Sequence, residues 1–278
     1  MNLGVLIDGE NGSRLDASNR GLNYGDGLFE TLLIENGEPI WWGEHFARLR
    51  RGTQALGMQL PDPDGLLREI CELAQGHQRA VLKLVLVREG SGRGYAPNAG
   101  ARSQRILSLH PAPVLPIAHY REGIEARWCS LRWSQQPRLA GIKHLNRLEN
   151  VLAKAECDQA GVSEGLVCDS SGQVVSATSA NVFIQRRGKL FTPPLRESGI
   201  AGVCRDWLLS RMNVEIRELY PLEVLRADAV LLTNCVRGIV PVTRLDERRF
   251  RVTPLLAGLM AQLWHEVPAL APQPEASE

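Results

Sequence analysis

Apolar residues in the first third of the chain fall into short runs separated by turn signals. Residues 5–7 and 28–34 read as strands, and the second run ends at Glu35-Asn36-Gly37, whose Asn-Gly pair favours a tight hairpin before Pro39-Ile40-Trp41-Trp42. From Gly43 to about Met58 the period lengthens. Phe46, Leu49 and Leu56 share one helical face, while His45 and Arg48 stand one turn apart on a neighbouring face. A second helix is expected from about Asp64 to Ala74, carrying Leu66, Leu67, Ile70, Cys71 and Leu73. Residues 80–87 and 105–110 follow as core strands, joined by a glycine-rich, basic loop at 88–97.

Pro111-Ala112-Pro113-Val114-Leu115-Pro116 suits neither a helix nor a central strand and favours an extended connector. The expected organisation is a smaller α+β domain over 1–112, a linker at 113–120, a larger domain over 121–270 and a disordered polar tail at 271–278. The larger domain opens with strand pattern at 124–133. A helix is expected over about 144–160, with Leu145, Leu148, Val151, Leu152 and Ala155 on its apolar side. Strand segments at 165–168, 173–176, 179–184 and 190–192 come next, then a helix after Gly199-Ile200-Ala201-Gly202. Strands at 214–218, 229–233 and 239–242 and a last helix around 254–264 complete an α+β chain in two domains.

With 278 residues, 44% of them hydrophobic, the chain can bury one large core or two modest ones. Its net charge of +1, from 32 basic and 31 acidic residues spread along the chain, gives no electrostatic footprint for nucleic acid or an anionic membrane. No apolar run approaches the ~20 residues of a membrane helix. The N-terminal run is followed at once by Asp8, Gly9 and Glu10 and reads as a strand and a turn rather than a signal peptide. The 6 cysteines and 6 histidines are dispersed without metal-ligand spacing. Reduced, mostly buried thiols, no metal site and a cytoplasmic location are therefore expected.

Four stretches carry candidate chemistry. Gly199-Ile200-Ala201-Gly202-Val203-Cys204-Arg205 places small residues before a helix, whose unpaired N–H groups and positive dipole end can receive an anion. Thr233-Asn234, after an apolar strand, offers a hydroxyl and further amides, and Arg48 offers a guanidinium for bidentate phosphate binding. Lys143 lies in Ala140-Gly141-Ile142-Lys143-His144-Leu145-Asn146-Arg147, between a glycine-containing approach and an expected helix start, where a cation is disfavoured. Each piece alone also reads blandly, as a flexible turn, a solvated basic face or a loop lysine.

Together they resemble a family. Gly141-Ile142-Lys143-His144-Leu145-Asn146-Arg147-Leu148-Glu149 is similar to the lysine segment of 4-amino-4-deoxychorismate lyases, which are fold-type IV pyridoxal-phosphate enzymes related to branched-chain and D-amino-acid aminotransferases. Asp26-Gly27-Leu28-Phe29-Glu30-Thr31, His45-Phe46-Ala47-Arg48-Leu49, Arg93-Gly94-Tyr95, Ser179-Ala180-Asn181-Val182-Phe183, residues 199–205 and residues 234–242 match in order. The resemblance implies a two-domain fold-type IV architecture and a homodimer, for whose interface Trp41 and Trp42 are candidates. It implies pyridoxal 5'-phosphate as cofactor, with Lys143 as Schiff-base lysine and proton shuttle, Arg48 on the phosphate, and Val203, Cys204 and Thr233 completing the phosphate cradle. The implied substrate is a small molecule with two carboxylates, for which Arg88, Arg93 and Arg237 are candidate partners. Tyr95 and Asn181 are candidates for hydrogen bonds to substrate or cofactor, and Thr31 and Lys143 itself for protonating the leaving oxygen.

One position departs from the pattern. Where the family usually has a glutamate that keeps the pyridine nitrogen protonated, this chain has Ser176, unless Glu164 or Asp169 supplies the charge. A weaker electron sink favours a lyase, whose reaction is driven by aromatisation, over an aminotransferase for branched-chain or D-amino acids. That aminotransferase stays open as an alternative, as does a non-catalytic small-molecule-binding protein.

Overall fold

The computed structural model describes residues 3–12, 14–90, 94–97, 101–114 and 116–272. It divides into two compact units, one of Met1–Pro113 with Ile142–Asn146, the other of Val114–Gly141 with Arg147–Glu278.

The first unit runs β1 (Gly4–Ile7), β2 (Glu10–Asn11), α1 (Arg20–Tyr24), β3 (Gly27–Glu35), β4 (Glu38–Pro39), α2 (Trp42–Leu56), α3 (Pro63–Ala74), β5 (Arg79–Arg88) and β6 (Ser103–Pro111). Among the described residues its strands form an antiparallel sheet in the order β2-β1-β6-β5-β3-β4. Period-two alternation gives that sheet two different faces. Leu28, Leu32 and Ile34 of β3 lie opposite Leu86, Leu82 and Ala80 of β5, and all six are buried. Leu49 of α2 and Leu66 and Ile70 of α3 are buried with them. Gly52 allows α2 to approach β3, because a Cβ there would lie 2.8 Å from a Leu28 methyl. The opposite face carries Phe29 and Thr31 of β3, paired with Val85 and Lys83 of β5.

The hairpin forms where Asn36-Gly37 places it, with both residues at positive φ (52° and 83°) as a primed turn requires. Its second strand is short. It ends at Pro39, and Trp41, at φ 58°, turns the chain into α2. Asp62 caps α3 by accepting from the Gly65 amide at 2.7 Å, and Pro63 occupies the first turn, where a missing N–H costs nothing.

The lysine stretch is not helical. The Phe29 amide donates to the Lys143 carbonyl at 2.9 Å and the Leu145 amide to the Gly27 carbonyl at 3.0 Å, so His144 pairs antiparallel with Leu28. Gly27 permits this close approach, since a Cβ would fall 2.8 Å from a Leu145 methyl. The following helix therefore starts at Leu148, not near His144.

The second unit contains α4 (Ala118–Arg121), β7 (Ile124–Trp133), α5 (Leu148–Gln159), β8 (Glu164–Asp169), β9 (Val174–Ala177), β10 (Asn181–Arg186), β11 (Lys189–Thr192), α6 (Val203–Arg211), β12 (Val214–Ile216), α7 (Pro221–Leu225), β13 (Ala229–Asn234), β14 (Gly238–Leu245), β15 (Arg248–Arg249) and α8 (Pro254–Glu266). Among the described residues they build a mixed sheet ordered β12-β11-β10-β13-β14-β7-β8-β9, with β15 on β14. Its centre is fully apolar at Val182, Phe183, Ile184, Val230, Leu231 and Leu232, as expected for strands covered on both faces. The burial of α5 differs from the sequence expectation. Ala153 and Cys157 face the core, whereas Leu148, Val151 and Leu152 are exposed. Among the described residues no helix is long and apolar enough to cross a membrane.

Candidate active site

In the first unit the Lys143 ammonium lies over the Phe29 ring, 4.2 Å from its centroid, a cation–π arrangement that fixes the far end of a long side chain. On the other face of β3, Glu30 occupies an inward position among leucines. Its carboxylate accepts from Arg48 Nε at 2.8 Å and from Arg48 Nη2, and its second oxygen lies 2.7 Å from His45 Nδ1. Glu30, His45 and Arg48 are all buried, at 2%, 1% and 4% exposure. Burial alone would push the Glu30 carboxyl up, but the charge and hydrogen bonds of Arg48, with His45 behind them, hold it down at about 2. The cluster thus presents Arg48 as a preset, desolvated guanidinium.

A second acidic node ties the loops of the same unit together. Asp26 receives Arg20 Nε at 2.8 Å and Arg88 Nε at 2.9 Å. Burial opposes its charge, yet the two guanidiniums lower its carboxyl below the usual range. Arg88 also donates to the carbonyls of Leu56, at 2.7 Å, and Gly57, at 2.9 Å, so its fork is committed to the fold rather than offered to a substrate. Arg20, not foreseen from sequence, holds the Gly94 and Tyr95 carbonyls at 3.2 and 3.1 Å. Tyr95 itself is exposed, edge-on to Tyr24, and Arg93 lies outside the described residues.

In the second unit a glycine-lined cup forms at the start of α6. Gly202 is the N-cap, and among the described residues no side chain caps the helix. The amides of Val203 and Cys204 lie in its first turn, where they have no intrahelical acceptor. Asn181 and Thr233 face each other across β10 and β13. The Asn181 side chain donates to the Ile200 carbonyl at 2.8 Å, which pins the approach to the helix. Thr233 is buried at 1% exposure and its hydroxyl has no hydrogen-bond partner among the described residues, which suits it to donate to an oxygen acceptor. Gly141 joins the same loop, with its amide donating to Gly199 O at 2.9 Å and its carbonyl accepting from Ala201 N at 3.0 Å.

A Cβ at Gly202 would lie 2.2 Å from Asn181 Oδ1. Gly202→Ala must therefore displace either the carboxamide or the helix start. The expected result is a loss of about 1–3 kcal/mol, the usual overpacking cost, read as a lower midpoint in chemical denaturation.

Ser176 and the two acids weighed against it also have defined partners. The Ser176 hydroxyl, buried, donates to the Ala180 carbonyl at 2.6 Å. Asp169 accepts from the amides of Ser171 and Gln173 at 3.0 and 2.9 Å and holds a turn. Glu164 accepts from Thr178 Oγ1 at 2.5 Å, from the Ser179 hydroxyl and from Arg237. Arg237, with a further bond to Ser179 Oγ at 2.9 Å, is thereby tied to an internal carboxylate. Arg147, at the start of α5, is a desolvated cation whose guanidinium burial brings down to about 10.

Residues 27–245 match the family model for class IV amino-transferases. The chain is 30% identical to an aminodeoxychorismate lyase of Vibrio harveyi over 85% of this chain and 89% of that one. It is also 30% identical to a putative branched-chain-amino-acid aminotransferase of Methanocaldococcus jannaschii, over 88% and 87%. A crystal structure of 4-amino-4-deoxychorismate lyase from Pseudomonas aeruginosa superposes with a TM-score of 0.90 at 40% identity, covering 95% of this chain and 99% of that one.

Proposed function

Because the chain belongs to the class IV aminotransferase family, we propose that it is a pyridoxal-phosphate-dependent carbon–oxygen lyase, converting 4-amino-4-deoxychorismate to 4-aminobenzoate and pyruvate. The observation that carries the reading is the 40% identity over 95% of the chain to a solved lyase of that specificity, together with the Lys143-His144-Leu145-Asn146-Arg147 run. The cofactor is pyridoxal 5'-phosphate. The α6 cup fits its phosphate: two first-turn amides, a buried Thr233 hydroxyl that has no partner among the described residues, and a Gly202 that leaves no room for a side chain. Arg48 would add a charged donor, Lys143 would bear the aldehyde carbon, and Ser176 would stand by the pyridine nitrogen.

When bound, the cofactor supplies an electron sink conjugated to the substrate's amine nitrogen. The chain's own residues do the rest. Lys143 Nζ accepts the proton from the ring carbon that carries the amine, while the carbon–oxygen bond at the adjacent carbon breaks. The oxygen leaves with the bonding pair as enolpyruvate, is protonated and becomes pyruvate, and the ring becomes aromatic. Thr31, on the Phe29 face of β3, is the candidate proton donor for that oxygen. Aromatisation makes the elimination irreversible, so a hydroxyl at Ser176 suffices where reversible amino transfer needs a stronger sink.

The 30% identity to a protein named a putative branched-chain-amino-acid aminotransferase supports the second reading, amino transfer on the same scaffold. A coupled assay that follows pyruvate release from aminodeoxychorismate, with no keto acid added, tests the proposal. Steady release supports the lyase, and none in a cofactor-loaded sample removes it.

A further inference from the structure

Two of the arginines expected to receive substrate carboxylates are tied to internal acids, Arg88 to Asp26 and Arg237 to Glu164. Another cation stands on the Lys143 side of the first unit's sheet. Lys83, on β5, pairs in register with Thr31 of β3 and Ser108 of β6, so its side chain rises from the face that carries Phe29 and not from the face covered by α2. Its ammonium lies 5.7 Å from the centroid of the Phe29 ring, over which Lys143 sits at 4.2 Å. Both nitrogens gather around one aromatic ring, and their separation cannot exceed those two distances combined. Lys83 is exposed, and no carboxylate pairs with it among the described residues.

We propose that Lys83 is a substrate-binding residue whose ammonium receives the ring carboxylate of a substrate with its amine at Lys143, an inference that rests on the lyase reading above. The amine and the ring carboxylate of such a substrate stand para to each other. In the proposed pose a ligand one six-membered ring wide reaches from one lysine to the other, within the upper limit that the two distances to Phe29 set. A lysine suits this task because its flexible stem lets the charge follow the carboxylate as the ring flattens on aromatisation. Thr31, beside Lys83 in the register, is then next to the substrate as well.

The test compares wild type, Lys83→Met and Lys83→Arg, each loaded with cofactor and checked by its visible absorbance. The probes are 4-aminobenzoate and 4-aminobenzamide, which keeps the ring and amine and loses the charge; calorimetry reads both affinities. Wild type should prefer the acid. In Lys83→Met the affinity for the acid should fall about tenfold or more, as for a lost charge-assisted bond, with the amide unchanged, and KM for aminodeoxychorismate should rise more than kcat falls. Lys83→Arg should keep most of the preference. The inference is overturned by a wild type indifferent to the charge, by a Lys83→Met that keeps the preference, or by one that loses acid, amide and cofactor alike. Pyruvate release by wild type is scored separately. A protein that binds the acid through Lys83 yet releases no pyruvate removes the lyase reading and leaves the carboxylate subsite standing.

Discussion

Lys143→Ala is expected to lower the rate of pyruvate release by about 10³-fold or more, since one residue then loses both its covalent role and its place as the base. The fold should survive the change. The Lys143 segment is held by backbone bonds, Phe29 N to Lys143 O and Leu145 N to Gly27 O, which alanine keeps. The cation–π arrangement of its ammonium on Phe29 is worth about 0.5–1 kcal/mol at an accessible site. A melting temperature close to wild type with turnover abolished is the expected pair of results. An added small primary amine such as methylamine should restore part of the rate by replacing the missing base. A variant within tenfold of wild type would show that the proton is taken by another group.

The second large effect lies on the other face of β3. Arg48→Met removes the cation that holds the buried Glu30 carboxylate and should cost about 3–5 kcal/mol near neutral pH, the usual penalty for an orphaned buried charge. The pH dependence has a definite sign. The folded-state pKa of Glu30 is depressed, from 4.5 to about 2, so its contribution to stability is fully present above about 4.5 and is lost as pH falls towards 2. Without Arg48, burial instead favours the neutral acid, and acidification relieves the variant. The stability gap between wild type and Arg48→Met should therefore narrow as the pH is lowered from 7 to 4, measured as urea midpoints. A gap that stays constant over that range would mean that the Glu30–Arg48 pair is not what the substitution broke.

Much of this organisation is legible in the sequence where the signal is local. β3, β5, β6, β10 and β13 follow from apolar runs, the hairpin from Asn36-Gly37 and the start of α6 from the small residues before it. The lysine run and its companions point to the family on their own, and the 30% and 40% identities to lyases agree. Other features depend on distant partners and are not local. Leu145 fits a helical period, yet its amide bonds to Gly27, so the segment is extended and α5 starts later. The carboxylate partners of Arg88 and Arg237 lie 62 and 73 residues away in sequence, and nothing near either arginine signals that it is already paired. The helices α1, α4 and α7, of 4–5 residues, are too short to show a period. Glu30 did leave a readable sign. A carboxylate at an inward position between Leu28 and Leu32 demands a buried cation, and His45 and Arg48, one turn apart on the next helix, supply it.

The most direct test follows the nitrogen. The cofactor-loaded protein is given aminodeoxychorismate alone, and separately an amino acid, D-alanine or a branched-chain one, with 2-oxoglutarate, and all products are quantified. The lyase account predicts pyruvate and 4-aminobenzoate in equal amounts from the first mixture, with the nitrogen retained on the ring, and little glutamate from the second. Glutamate formed in the second mixture with neither pyruvate nor 4-aminobenzoate from the first would contradict it and assign the chain to amino transfer.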